Sequence, residues 1–211
     1  MYNGIDLSAY QPLDENARRK KRKSLNVHEN AFVFLTVSVL REPKGIQYML
    51  EAMQQIIKSA PNAHYLIVGE GDHGKTLKER AASLRIEGHV TFAGQRNDIP
   101  EILSASDVFV LPTLMEALPT VLIEACAAQK AIVASNVGGV PEIVTDGVNG
   151  SLVPPADAQS LKQACLKLIQ HNGQKEALGE AGLQIAQKKF DICQQVQALG
   201  NLYQELIANG R

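Results

Sequence analysis

Glu116 and Glu124 flank Pro119 in the segment Pro112-Thr-Leu-Met-Glu116-Ala-Leu-Pro119-Thr-Val-Leu-Ile-Glu124. A helix opening near Pro119, where a missing N–H costs nothing, puts Glu124 within its first two turns. Helical side chains lean back toward the N-terminus, so both carboxylates can approach one pocket at the helix mouth. The N–H groups of Thr120 and Val121 are free there to donate to a phosphate. A carboxylate beside phosphate would be repelled, so its natural partners are hydroxyls. It accepts two of them well, and sugars and riboses carry vicinal pairs. Stabilising the helix dipole, worth about 0.3–1 kcal/mol, would explain one glutamate but fits two at this spacing less well.

Other segments suit the same chemistry. Ser135-Asn-Val-Gly138-Gly139-Val-Pro141-Glu142 repeats the order of strand, glycine loop and proline-opened helix. Paired glycines let backbone come close to a ligand, although a plain turn would also use them. Lys44 precedes Gly45 after an earlier apolar run, and its ammonium would neutralise phosphate charge if it lay at the same edge. Gly69-Glu-Gly71-Asp-His-Gly74 matches G-x-G-x-x-G, the dinucleotide fingerprint. Yet the next apolar run ends in Gln95 and Arg96, with no carboxylate for a ribose, and another strand precedes the motif. A tight turn close to some ligand is the better reading.

These residues need a scaffold that brings loop ends together. Short apolar runs at Phe32 to Leu40, His64 to Gly69, Val90 to Gly94, Val108 to Pro112, Ala131 to Ser135 and Gly150 to Pro154 read as strands covered on both faces. Amphipathic stretches separate them; Ile46, Met49, Leu50, Met53, Ile56 and Ile57 share one helical face. Pro100, Pro119 and Pro141 stand at three helix starts. This alternation predicts a doubly wound α/β domain: a Rossmann-like, six-stranded parallel sheet with helices on both sides and extra C-terminal helices over 157–171, 173–188 and 191–208. Ligands of such sheets bind at the carboxyl edge, where the strand-to-helix loops lie.

Composition sets the outer limits. The 211 residues are 45% hydrophobic and 20% charged, as in ordinary globular proteins. Six of 21 basic residues cluster at Arg18, Arg19, Lys20, Lys21, Arg22 and Lys23, leaving 15 against 22 acidic ones elsewhere. The body is therefore acidic, and no nucleic-acid partner is expected. The basic run reads either as a solvated helix face or as a patch for membrane phosphate or nucleic acid, the former giving peripheral membrane contact. It has no interleaved aromatics, which favours the solvated face. Cys126, Cys165 and Cys193 form no framework and the histidines show no ligand spacing, so buried thiols and no metal site are expected. Without a signal peptide or a long apolar run, the expected compartment is the cytoplasm.

Taken in order, Asn3-Gly4-Ile5-Asp6, Lys44-Gly45, Val68-Gly69-Glu70-Gly71, Phe92-Ala-Gly94, Asp107-Val108, the Glu116–Glu124 pair, Val137-Gly138-Gly139 and Glu142-Ile-Val resemble the C-terminal donor domain of glycosyltransferase family 4, the group 1 glycosyltransferases. The resemblance covers nearly the whole chain. It implies half of a GT-B enzyme, which has two Rossmann-like domains around a cleft and is retaining and metal-independent. It also implies a nucleoside diphosphate sugar as donor, with no cofactor. Glu116 would then face the donor sugar, Glu124 the ribose hydroxyls and Lys44 the diphosphate. Backbone of Ala117, Leu118, Thr120 and Val121 would line sugar and phosphates, and Gln95 and Arg96 would border the base. Gly138 and Gly139 would approach the donor. Many members carry a phosphate-binding arginine where this chain has Val39, and Arg41 is the nearest substitute. Ala117 replaces the usual glycine after the first glutamate.

Family members present a second α/β domain before the Asn-Gly-Ile-Asp block. The expected organisation is therefore a nucleotide-sugar-binding domain over 1–190 and a C-terminal helix over 191–211 that packs on an N-terminal acceptor domain absent here. That helix should expose Leu199, Leu202 and Leu206, and the chain alone should bind nucleotide weakly and turn over little. Two other readings remain open: a nucleotide-binding module without catalysis, and a GT-B sugar-nucleotide epimerase.

Overall fold

A computed structural model describes residues 4–208; Asn3 and residues 209–211 of the final segment lie outside the described residues. In chain order the elements are α1 (Glu15–Ser24), β1 (Phe32–Val37), α2 (Ile46–Ser59), β2 (Ala63–Val68), α3 (Gly74–Ser83), β3 (Val90–Phe92), α4 (Ile99–Ala105) and β4 (Val108–Leu111). They continue with α5 (Thr120–Ala127), β5 (Ala131–Ser135), α6 (Val140–Ile143), β6 (Gly150–Val153), α7 (Ala158–Gln170), α8 (Asn172–Lys189) and α9 (Ile192–Ala208). The six strands form one parallel sheet in the order β3-β2-β1-β4-β5-β6. The chain winds outward from β1 in one direction and then, from β4, in the other. The crevice between the carboxyl ends of β1 and β4 is thus the topological switch point, where α/β sheets bind ligands.

Successive side chains of a strand point to opposite faces, and each face here has its own core. Phe34 of β1 joins Met49, Leu50, Met53 and Ile56 of α2 and Leu161, Cys165 and Leu168 of α7. Its neighbours Val33 and Leu35 join Ile102 and Leu103 of α4 and Leu122, Ile123 and Cys126 of α5 on the other face. Burying each such aliphatic side chain stabilises by about 1.5–3 kcal/mol relative to leaving it exposed. Cys126 and Cys165 are buried free thiols, while Cys193 is exposed.

β1 stops at Val37, three residues before its apolar run ends. Beyond it Ser38 N–H donates to Val68 O (3.0 Å) at the end of β2, while Leu40 N–H donates to Glu70 O (2.9 Å) and His73 N–H to Leu40 O (3.0 Å) in the loop that follows. Gly69 and Gly71 make this seam close. A Cβ on Gly69 would lie 1.9 Å from Ser38 O, and one on Gly71 2.3 Å from Leu40 O. The G-x-G-x-x-G glycines therefore join one loop to the next.

The basic run is not a solvated face throughout. Arg22 is buried and donates to Ala105 O (2.8 Å), Glu29 O (2.7 Å), Ala31 O (2.8 Å) and Asp107 Oδ2 (2.8 Å). Arg18 reaches Asp107 Oδ1 (2.6 Å) and Lys21 reaches Asp98 Oδ2 (2.8 Å). Asp107 also accepts from Val33 N–H (2.7 Å), so it ties α1 to the amino edge of β1 and β4. Arg19, Lys20 and Lys23 do face outward, around a recess of about 480 Å³. The helical period separates these two sets, which run together in sequence.

Among the described residues, α9 is tied to the domain by bonds at its first turn. Ile5 pairs with Asp191, its N–H donates to Phe190 O (2.9 Å), and Gly4 N–H donates to Gln195 Oε1 (2.6 Å). The helix buries none of its side chains and exposes Val196, Leu199, Leu202, Tyr203, Leu206 and Ile207. Among the described residues no helix is long and apolar enough to cross a membrane.

Candidate nucleotide-sugar site

Every strand-to-helix loop opens on the carboxyl edge of the sheet, and the loops after β1 and β4 meet at the switch point. A 3-10 turn, Glu42–Lys44, follows β1 and packs on the β4 loop. There Leu114 N–H and Thr113 Oγ1 both donate to Pro43 O, at 2.7 and 3.2 Å. Thr113 is fully buried, and its hydroxyl also spans to Met115 O (3.0 Å). This brace brings Lys44 Nζ against Glu116 Oε1 in an ion pair, with side chains 25% and 14% exposed. A cation and a carboxylate from separate loops thus share one edge of the crevice.

The β5 loop supports the same segment from behind. Gly138 has φ +50°, and a Cβ there would lie 1.8 Å from Glu116 O; one on Gly139 would lie 1.9 Å from Ala117 O. Gly139 N–H points back to Glu116 O at 3.4 Å. The paired glycines therefore let backbone approach backbone, and they set the height of the Glu116–Leu118 loop.

Glu124 is the fifth residue of α5 and lines a cleft of about 390 Å³ with Val37, Val39, Gly69, Glu70, Gln95, Arg96, Ile99 and Val121. Pro119 caps this helix, one position ahead of the expected first turn. The N–H groups of Thr120 and Val121 lie in that first turn and have no intrahelical acceptor. Burial pushes the Glu124 carboxyl above the ordinary glutamate value, and the hydroxyl of Tyr10 opposes that shift. Nothing in the sequence pattern marks Tyr10 as a neighbour of Glu124; the segment leading into α1 carries it there.

At the rim, Arg96 donates twice to Asp98, Nε to Oδ1 at 2.8 Å and Nη2 to Oδ2 at 2.7 Å. Arg96, and then Lys21, hold Asp98 well below the usual carboxylate range. The Arg96 side chain is therefore fixed from α1 through Asp98, while Gln95 is exposed beside it. A larger recess, about 740 Å³, continues past Gln95 and Arg96 toward Gln11, Asn97 and Glu101. Val39 lines the cleft itself; Arg41 is exposed at the start of the 3-10 turn and is not among the residues lining the cleft.

The structure thus gathers Lys44, Glu116, Ala117, Leu118, Thr120, Val121 and Glu124 at one edge, with Gln95 and Arg96 across the cleft. Gly138 and Gly139 stand behind the Glu116 loop. Among the described residues no group of three histidine, cysteine, aspartate or glutamate side chains is placed to hold a metal ion.

The family profile described as "Glycosyl transferases group 1" matches residues 17–184. The chain is 31% identical over 210 residues to the UDP-Gal:alpha-D-GlcNAc-diphosphoundecaprenol alpha-1,3-galactosyltransferase of Escherichia coli, covering 98% of this chain and 54% of that protein. It superposes on the crystal structure of Anabaena HepE in complex with UDP with a TM-score of 0.91 at 29% identity, covering 98% of this chain and 57% of that one. A further structure of HepE, with UDP-glucose, gives 0.89 at 29% identity, again covering 98% of this chain and 57% of that one. The chain spans about half the length of the curated relatives it matches.

Proposed function

Because the chain belongs to the group 1 glycosyltransferases, we propose that it is the donor-binding half of a two-domain GT-B transferase. In this reading a nucleoside diphosphate sugar lies across the crevice between β1 and β4. The observation that carries it is the meeting of Lys44, Glu116 and the α5 N-terminus at the switch point, with Glu124 one turn further in.

Each group has a task set by its charge. Lys44 and the N–H groups of Thr120 and Val121 face the diphosphate, where cleavage of the anomeric bond builds negative charge. Preorganised donors aimed at such charge lower the barrier, and losing one typically costs about 10²–10³ in rate. Glu116, paired with Lys44, orients the hydroxyls of the transferred sugar. Glu124 accepts from the ribose hydroxyls, and Gln95 and Arg96 border the base. No cofactor is needed beyond the donor itself. UDP is the first nucleotide to test, since the relatives above carry UDP or UDP-sugars in their names.

The reaction would be retaining: a hexosyl unit passes to an acceptor attacking on the face the phosphate leaves, and a phosphate oxygen takes the acceptor's proton. The acceptor would be a glycan or lipid-linked glycan held by a second α/β domain. α9, with its uncovered apolar face, would pack on that domain, and residues 1–190 would form the donor half. The outward cations Arg19, Lys20 and Lys23 would give the full enzyme peripheral contact with anionic lipid. The chain alone should bind nucleotide yet transfer little.

Calorimetric titration of the chain with UDP-, GDP- and ADP-sugars, beside Lys44→Ala and Glu124→Ala, tests the site. Wild-type affinities in both variants would sink it. Robust sugar transfer by this chain without a second domain would overturn the two-domain reading.

A further inference from the structure

Arg96 borders two spaces. It lines the cleft that holds Glu124 and Val121, and also the larger recess beyond, which Asp98 lines with it. Asp98 stands just before the first turn of α4, where an aspartate normally accepts from N–H groups of its own helix. Its side chain makes no such bond. Instead Oδ1 accepts from Arg96 Nε (2.8 Å), and Oδ2 accepts from both Arg96 Nη2 (2.7 Å) and Lys21 Nζ (2.8 Å). A carboxylate placed to cap a helix is thus spent on a guanidinium, and Lys21 of α1 holds the carboxylate in turn. The Lys21 and Asp98 side chains are 20% and 24% exposed, so this clamp is largely shielded from water. It takes the Nε edge of the guanidinium. Among the described residues, Nη1 at the other edge has no hydrogen-bond partner.

We propose that Arg96, clamped by Asp98 and Lys21, selects donor nucleotides whose base presents a carbonyl, as uracil and guanine do, over those presenting an amine, as cytosine and adenine do. The inference rests on the reading that the base lies beside Gln95 and Arg96. A guanidinium only donates, so it bonds a carbonyl oxygen but not an amine, and its parallel N–H pair also fits the carbonyl and ring nitrogen of a guanine edge. An unheld arginine would swing away from an amine at little cost. One held by two charge-assisted bonds stays in place, and N–H then faces N–H. The amides nearby discriminate less. Gln95, Gln11 and Asn97 line the recess and can each donate or accept. The carboxylates of Glu70 in the cleft and Glu101 in the recess would accept from an amine, and neither is bonded to Arg96. Substituting Arg96 therefore separates its contribution from theirs.

Calorimetry with UDP, CDP, inosine diphosphate and ADP tests this, since within each ring size a carbonyl is exchanged for an amine. In the pair that the site binds, wild type is expected to favour the carbonyl base by about 10-fold. Which pair that is tells a uracil site from a guanine site. Arg96→Gln, whose amide serves either base, should bring the preference toward none. Lys21→Met should reduce it to about 3-fold by loosening the clamp, and Lys21→Arg should restore it. Equal affinity for both members of the pair in wild type would overturn the inference, as would a preference that survives Arg96→Gln. A loss in Arg96→Gln equal for all four nucleotides would also overturn it, by assigning Arg96 to the phosphates. A Lys21→Met variant that weakens carbonyl and amine bases alike would remove Lys21 from the clamp and leave it a structural role. If Arg96→Gln binds all four as wild type does, the base lies elsewhere, and the reading of Gln95 and Arg96 fails first.

Discussion

Lys44 and Glu116, 72 residues apart in the chain, form an ion pair across the gap between β1 and β4. Neither is deeply buried, so the pair adds little to stability, on the order of 0–1 kcal/mol. Its importance is positional, since each charge is held where a diphosphate and a sugar would meet.

The two partners should therefore fail differently. Lys44→Ala is expected to weaken UDP itself by about 10- to 100-fold, the loss of one charge-assisted contact. Glu116→Gln should leave UDP nearly unchanged and weaken only the UDP-sugar. Calorimetry with UDP and UDP-glucose on both variants measures the split, and equal effects on the two ligands would count against it.

Glu124 should read the ribose. Wild type is expected to prefer UDP over 2′-deoxy-UDP by about 10-fold, and Glu124→Gln to reduce that preference toward none. A preference that survives the substitution would place the ribose elsewhere.

Gly138 seats the Glu116 loop with a positive φ and a carbonyl where a Cβ would go. Gly138→Ala should cost about 1–3 kcal/mol in denaturant unfolding, from backbone strain and displacement of that carbonyl. The lost affinity should be larger for UDP-glucose than for UDP. A fully stable Ala variant with normal sugar binding would show that the loop position does not matter.

The basic run should divide by depth. Arg22→Met removes a buried guanidinium with four partners and should cost about 3 kcal/mol or more. Lys20→Met, on the exposed face of the same helix, should change stability by less than about 0.5 kcal/mol. Chemical unfolding of both variants compares them directly.

Stability should fall in mild acid through His64. Burial first, then His89, push its imidazole down to about 4 from 6.5. The unfolded chain thus binds the proton more readily, and the stabilisation present above pH 6.5 is lost as pH falls toward 4. The effect is about 2 kcal/mol after allowing for partial solvent screening. Replacing His64 by Gln should flatten this part of the stability profile, and an unchanged slope would assign it to other groups.

Much of the scaffold was legible because its signals are local. Uniform apolar runs such as Val108 to Pro112 must be covered on both faces, and the run Ile46 to Ile57 repeats at the helical period. Pro119 and Glu124 marked the α5 mouth for the same reason, since helix geometry alone places them, whereas Glu116 sits in a loop held by the Thr113 brace and by Gly138 and Gly139. The ends of elements were less legible. β1 stops at Val37, and beyond it Leu40 bonds to Glu70 and His73 of the loop after β2, an exchange that no local pattern announces.

The sequence by itself determined the strand and helix order, the edge at which the loops gather, and the charged groups available there. Tertiary structure decided what each of those groups faces. Gly138 and Gly69 have the conformational freedom to approach a ligand, but neighbouring carbonyls occupy their open sides. Six adjacent cations look alike as a string, yet helical phase sends Arg22 inward to Asp107 and leaves Lys20 in solvent. Tyr10 lies beside Ala127 of α5 because two anchors, at Ile5 and Leu13, hold its segment there. Periodicity reports which face of an element is apolar; which loop or side chain meets that face is set by contacts between residues distant in the chain.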